Sequence, residues 1–169
     1  MTIEKNLPSR KHPRLEKYDY SSLGAYFVTI CTQDRKPLLS RIVGRGLAPA
    51  ATEYTAYGEI AEKQLLLLPE RYPSVKIEQY VIMPDHIHAV LFLENTAAGA
   101  SPRPTIMDVV CTYKSLTTRE CKKIQPIKKL FQSSFYEHII RNYDDYQEIV
   151  KYIHENPSRW YYEKRNSKA

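Results

Sequence analysis

The chain has 169 residues, 43% hydrophobic and 26% charged, with a net charge of +6. That length suits one domain with a proper core; the composition excludes a fibrous or disordered polypeptide, and no apolar run reaches the ~20 residues of a membrane helix. Cys31, Cys111 and Cys121 form no Cys-x-x-Cys pair, which excludes a disulfide framework and a zinc ribbon, and the positive balance favours a polyanionic partner.

The segment from Met1 to Arg14 is polar and basic without an apolar stretch, so it is not read as a secretory signal, and a reducing cytoplasm is the expected compartment. Within it, Pro8-Ser9-Arg10-Lys11-His12-Pro13-Arg14 predicts an extended arm over residues 1–20. There Arg10, Lys11 and Arg14 can track phosphates, or form a solvated tail. Fourteen tyrosines interleaved with Lys and Arg suit stacking on unpaired bases, although most serve a core or its rim equally well.

Ala25-Tyr26-Phe27-Val28-Thr29-Ile30-Cys31 is rich in β-branched and aromatic residues and predicts a strand. Leu38 to Val43 predicts a shorter strand broken by Gly44 and Gly46. A helix follows from Thr52 or Thr55 to Leu68, with Tyr57, Ala61, Leu65 and Leu68 as its buried stripe and Pro69 and Pro73 at its exit. Val75 to Ile82 predicts a third strand.

That strand turns through Met83-Pro84-Asp85 into His86-Ile87-His88-Ala89-Val90-Leu91-Phe92-Leu93. Alternate strand side chains share a face, so His86 and His88 project together while Ile87 turns to the core. A rise of ~3.3 Å per residue sets their Cα atoms roughly 6.6 Å apart, near enough to share a metal ion. Taken alone, His-x-His is equally compatible with two structural histidines. Asn95 to Pro104 is a Gly/Ala/Ser/Pro loop and the clearest hinge candidate.

Thr105, with Asp108 in a capping-box position, starts the next helix, whose core face carries Ile106, Val109, Val110, Tyr113 and Leu116. Lys114, Thr118 and Lys122 fall at i, i+4 and i+8 on another face, with Arg119 beside them. This row suits phosphates, and a solvated face has the same pattern. Phe131 to Ile140 predicts a last strand or extended edge.

Asn142 is the expected N-cap of a final helix, with Asp144 and Asp145 in the first turn, where the helix dipole favours them. Pro157 is expected to end this helix at Asn156. Tyr146, Ile149, Val150 and Ile153 make its core stripe, and Tyr152 and Asn156 lie i, i+4 roughly 90° round from it. There they form a cleft edge or an amphipathic rim. The basic aromatic segment 158–169 reads as a short tail that stacks on unpaired bases or packs beside this helix, with packing favoured.

Tyr-Phe-Val-Thr-Ile-Cys-Thr at 26–32, Tyr-Val-Ile-Met-Pro-Asp-His-Ile-His at 80–88, Tyr-Lys-Ser-Leu-Thr-Thr at 113–118, Phe-Tyr-Glu-His-Ile-Ile-Arg-Asn at 135–142 and Tyr-Ile-His-Glu-Asn-Pro at 152–157 occur in that order after the basic arm. Together they resemble the REP-associated tyrosine transposases, a branch of the single-tyrosine HUH (IS200-like) transposases, over nearly the whole chain. The resemblance implies a single α+β domain over 1–169, with a ferredoxin-like antiparallel sheet flanked by helices. It further implies binding of hairpin-forming single-stranded DNA (REP-like palindromes) and metal-dependent cleavage by a tyrosine on the C-terminal helix. By position, Tyr152 matches the nucleophile, His86 and His88 the metal histidines, and Asn156 a polar third ligand that is often Gln. The shorter Asn leaves open direct or water-mediated ligation.

The residue chemistry agrees. A phenol, with a pKa near 10, needs deprotonation or a polarised target to attack a phosphodiester. A divalent ion, Mg²⁺ or Mn²⁺, supplies that polarisation, and imidazole donors suit Mn²⁺ better than Mg²⁺. Tyr136, near His138, is the rival nucleophile. Two other functions remain open: a catalytically silent hairpin-DNA-binding protein, and a small metallo-phosphoesterase using activated water. The expected setting is the cytoplasm, on the nucleoid, with a monomer favoured over a homodimer.

Overall fold

The computed structural model describes residues 23–45, 48–95 and 104–167. The arm with Arg10, Lys11 and Arg14, and residues 96–103 of the hinge candidate, lie outside them.

Gly24–Cys31 forms β1, Val75–Ile82 β4, His86–Leu93 β5 and Tyr136–Ile140 β6. Between β1 and β4 come the strands β2 (Ser40–Arg45) and β3 (Ala48–Tyr54), then helices α1 (Ala56–Leu66) and α2 (Leu68–Arg71). Helix α3 spans Ile106–Cys121 and α4 spans Tyr143–Asn166. The main sheet runs β4-β5-β1-β6 with every neighbour antiparallel. Its strands with α1 and α3 reproduce the ferredoxin-like β-α-β-β-α-β order, and the β2–β3 hairpin is an insertion before α1.

Strand alternation divides the core in two. Tyr26, Val28 and Ile30 of β1 and Ile87, Ala89 and Leu91 of β5 pack on one face with Ala61, Leu65, Val109, Val110 and Tyr113. On the other face Phe27 and Val90 meet Ile149 and Ile153 of α4. This second face carries the odd-numbered positions of β1 and the even-numbered positions of β5, so the histidines lie beneath α4. No helix among the described residues is long and apolar enough to cross a membrane.

The caps form as the sequence predicts. Thr105 and Asp108 make a reciprocal capping box, and the Asn142 side chain accepts the Asp145 N–H at 2.9 Å. Thr55 caps α1 and settles its start, and Ala61, Leu65 and Leu68 are buried. Leu67 breaks the expected single helix into α1 and α2, with Pro69 near the start of α2, where its missing N–H costs little.

Several expectations are corrected. Strand β2 begins at Ser40 and continues through Gly44, and its partner β3 was not expected, because Ala48-Pro49-Ala50-Ala51 lacks apolar alternation. The last strand starts only at Tyr136, while Phe131 makes an isolated bridge to Thr32. Pro157 does not end α4: the helix runs on to Asn166, so residues 158–166 are helical rather than a tail. An interior proline costs roughly 3 kcal/mol, and here the turns beyond it are docked. Ala50 N–H donates to Ser158 Oγ at 3.3 Å, and the Tyr161 ring tip lies against Gly44, leaving no room for a Cβ there.

Candidate active site

His86 and His88 open β5, and α4 lays Tyr152 and Asn156 across them. The two imidazole centroids are 4.5 Å apart, and the Tyr152 ring is 5.2 Å from that of His88. Phe27 stacks on His88 at 5.1 Å and meets Tyr152 edge-on at 6.2 Å. The residues border a cleft of about 540 Å³ together with Asn156, Tyr136, Arg35, Arg159, Trp160 and Glu163. The i, i+4 spacing of Tyr152 and Asn156 therefore marks a cleft edge, and one chain supplies both halves.

Both histidines are held by their Nδ1 edges. His86 Nδ1 lies 2.6 Å from Asp85 Oδ1, so it is the donor to that carboxylate. His88 Nδ1 lies 2.8 Å from Thr29 Oγ1, and Thr29 is its cross-strand partner on β1. Fixing Nδ1 fixes the ring and leaves Nε2 as the edge for a ligand. His88 Nε2 is buried without a hydrogen-bond partner. Burial, aided by the nearby His86 and Arg35 and opposed by Asp85, pushes the His88 pKa down to about 3, so this imidazole is neutral at pH 7.

An unpaired buried nitrogen costs about 1–3 kcal/mol unless a ligand satisfies it. Two imidazoles with anchored Nδ1 edges, beside a buried Asn156 carboxamide, are side chains of the type that could hold a divalent ion. Among the described residues no group of three His, Cys, Asp or Glu side chains can hold a metal ion.

Tyr136 lies opposite Thr29 on β6 and lines the same cleft, exposed, so the structure brings both candidate tyrosines together. His138, two residues from Tyr136, has its Nε2 2.9 Å from Asp145 Oδ2 on α4. Lys114, Arg119 and Lys122 lie elsewhere, in a groove between α3 and residues 129–133 that also includes Thr118 and Lys129. There Lys114 Nζ donates to the Ser133 carbonyl at 2.9 Å, and its burial lowers its pKa. A third cleft, about 580 Å³, lies around Phe92 and Tyr146, where Lys76 pairs with Glu94 and Tyr146 with Glu78.

The sequence reading missed Asp85 and Thr29 as the groups that orient the histidines. Asp85 adjoins His86 in sequence, a usable signal for a carboxylate–histidine pair, whereas Thr29 is visible only through register. It also missed Arg159, Trp160 and Glu163, because the helix was expected to stop before them.

No family model matches the chain. It is 29% identical over 166 residues to an uncharacterized protein of Haemophilus influenzae, covering 89% of each. A second H. influenzae protein, provisionally named a REP-associated tyrosine transposase, is 28% identical over 82% of this chain and 73% of its own length. A REP-associated tyrosine transposase of Escherichia coli K12 is 25% identical over 82% and 68% respectively. The solved structure of a REP-associated tyrosine transposase bound to a REP hairpin shares the fold at a TM-score of 0.62 and 24% identity, over 86% of this chain and 74% of that one.

Proposed function

We propose, from its similarity in sequence and fold to the REP-associated tyrosine transposases, that the chain is a metal-dependent single-stranded DNA endonuclease and strand-transferase acting on hairpin-forming DNA in the cytoplasm. The observation that carries the reading is the Tyr152 ring 5.2 Å from His88, in a cleft shared with His86 and Asn156.

Tyr152 Oη attacks the phosphorus of a phosphodiester laid in the cleft. A tyrosyl O–P bond forms, the P–O3′ bond breaks, the phenolic proton leaves to water and the 3′ oxygen takes one up. The product is a 5′-phosphotyrosyl ester with a free 3′-OH, and reversal with another 3′-OH rejoins strands. A divalent ion, Mg²⁺ or Mn²⁺, held by His86, His88 and Asn156 would polarise the phosphate as a Lewis acid. Phe27 and the ring anchors on Asp85 and Thr29 keep the imidazoles in place. Lys114, Arg119 and Lys122 in their groove, with Arg10, Lys11 and Arg14 of the arm, supply phosphate contacts. The expected working unit is a monomer, a reading supported by the 5.2 Å between the Tyr152 and His88 rings of one chain.

The test is incubation with labelled hairpin-forming single-stranded DNA and Mn²⁺ or Mg²⁺, followed by denaturing electrophoresis. A denaturant-resistant protein–DNA adduct is expected, lost in Tyr152→Phe and in His86→Ala and kept in Tyr136→Phe. Cleavage without an adduct would replace this reading with a hydrolase, and retardation without cleavage would leave a silent hairpin binder. Loss of the adduct in Tyr136→Phe alone would move the nucleophile to Tyr136.

A further inference from the structure

Phosphodiester attack builds up negative charge at phosphorus, and one cleft side chain is held in a way suited to meet it. Arg35 lines the cleft beside both histidines. It closes the Gln33–Arg35 turn, where Asp34 and Arg35 have φ of 56° and 54°. Left-handed backbone at a non-glycine residue costs on the order of 1–2 kcal/mol, and it persists where surrounding contacts over-determine it. Those contacts are present here. Thr32 donates its N–H at 2.9 Å and its hydroxyl at 3.0 Å to the Asp85 carbonyl, and Gln33 N–H donates to the Leu130 carbonyl at 2.8 Å.

The guanidinium is held from two sides. Its Nε lies 3.2 Å from Asp85 Oδ2, and its Nη1 lies against Cys31 Sγ in van der Waals contact. A guanidinium has five N–H donors, so the pairing with Asp85 leaves others for a ligand, and the side chain is 48% exposed. The other oxygen of the same buried carboxylate holds His86. One carboxylate thus sets a cation and an imidazole in fixed relation. Arg159, the other cation of the cleft, is less constrained: it lies over the Tyr152 ring at 5.4 Å and pairs at 3.6 Å with Glu155 of its own helix.

We infer that Arg35 is an anion-clamping catalytic residue whose free guanidinium donors grip the non-bridging oxygens of the phosphodiester presented to Tyr152, with Asp85 as the positioning residue that locks Arg35 to His86. The choice of a phosphodiester rests on the proposed function; the clamp itself rests on the turn and its bonds. A planar fork suits two phosphate oxygens in a way a lysine ammonium does not.

Trp160, the one tryptophan of the chain, lies 6.1 Å from His86, so its fluorescence reports cleft occupancy without metal or cleavage. The full chain is titrated with a short single-stranded oligonucleotide in the presence of a chelator, after circular dichroism has verified the fold of each variant. Arg35→Gln is expected to weaken binding at least tenfold, Arg35→Lys to restore only part of it, and Asp85→Asn to fall between wild type and Arg35→Gln. In Asp85→Asn the ¹⁵N shifts of the His86 ring should also move toward a mixture of tautomers, which a merely structural role would not produce. Equal affinity of wild type and Arg35→Gln, or no response in wild type, overturns the clamp. Wild-type adduct formation alongside equal affinities overturns the clamp and leaves tyrosine transfer standing. Arg35-dependent binding with no adduct does the reverse.

Discussion

His88 and Thr29 face each other across β5 and β1, and the Thr29 hydroxyl meets His88 Nδ1 at 2.8 Å while the far edge of the ring stays buried and unpartnered. This pairing sets a neutral imidazole under Tyr152, and it has a consequence for stability.

Because the His88 pKa falls from 6.5 to about 3 on folding, the unfolded chain binds a proton that the folded chain refuses. The resulting stability is complete above pH 6.5 and is lost as pH drops toward 3, at up to about 1.4 kcal/mol per pH unit. Urea unfolding of the chelated protein between pH 7 and pH 4.5 should show this slope, and His88→Gln should flatten it. Asp108 and Asp145, whose pKa values are lowered from 3.8 by their hydrogen-bond partners, act only below that window. For Asp145 burial opposes the shift.

Pro157→Ala should stabilise the protein by about 1–3 kcal/mol, since it restores an N–H for the Ile153 carbonyl inside a helix that already continues past this point. The midpoint of chemical denaturation is the measurement. A fall in midpoint would mean that Pro157 itself is needed to bring Trp160 and Tyr161 to their partners.

Gly58 looks replaceable, because alanine is favoured over glycine inside helices by about 1 kcal/mol. Yet a Cβ there would overlap the Leu39 carbonyl oxygen, which is backbone and cannot swing aside. Gly58→Ala should therefore destabilise by about 1–3 kcal/mol. Gly44→Ala should cost less, because the atoms it meets are the tip of the Tyr161 side chain. Thermal melts of the pair give the ordering.

Adduct formation should disappear on chelation and return with Mn²⁺ at least as well as with Mg²⁺, as expected of imidazole donors. Retardation of hairpin DNA by the Lys114–Arg119–Lys122 groove should survive chelation. If it were lost as well, the metal would be needed for DNA binding rather than for cleavage.

The sequence made the sheet and its histidines readable because β1 and β5 are runs of apolar, β-branched and aromatic residues buried on both faces. It made α4 readable through its Asn142 cap and its Ile149 and Ile153 stripe. Pro157 misled because local propensity takes no account of Ser158 and Tyr161 docking on the β2–β3 hairpin. Strand β3 was hidden for a related reason: half-exposed and paired only with β2, it needs no apolar period. Arg35 and Thr29 belong to the site only through turn geometry and strand register, neither of which spacing encodes.

Helix α4 covers the second face of the sheet with Ile149 and Ile153 and, from the intervening turn, delivers Tyr152 to the histidines. Burying that face and bringing Tyr152 to the histidines are therefore one event. With the sheet closed on α1 and α3 but α4 undocked, both imidazoles would be in place without Tyr152 beside them, and of the two candidate tyrosines only Tyr136 of β6 would remain near. Local loosening of α4 would therefore part Tyr152 from the histidines before it exposed the main core on the other face of the sheet.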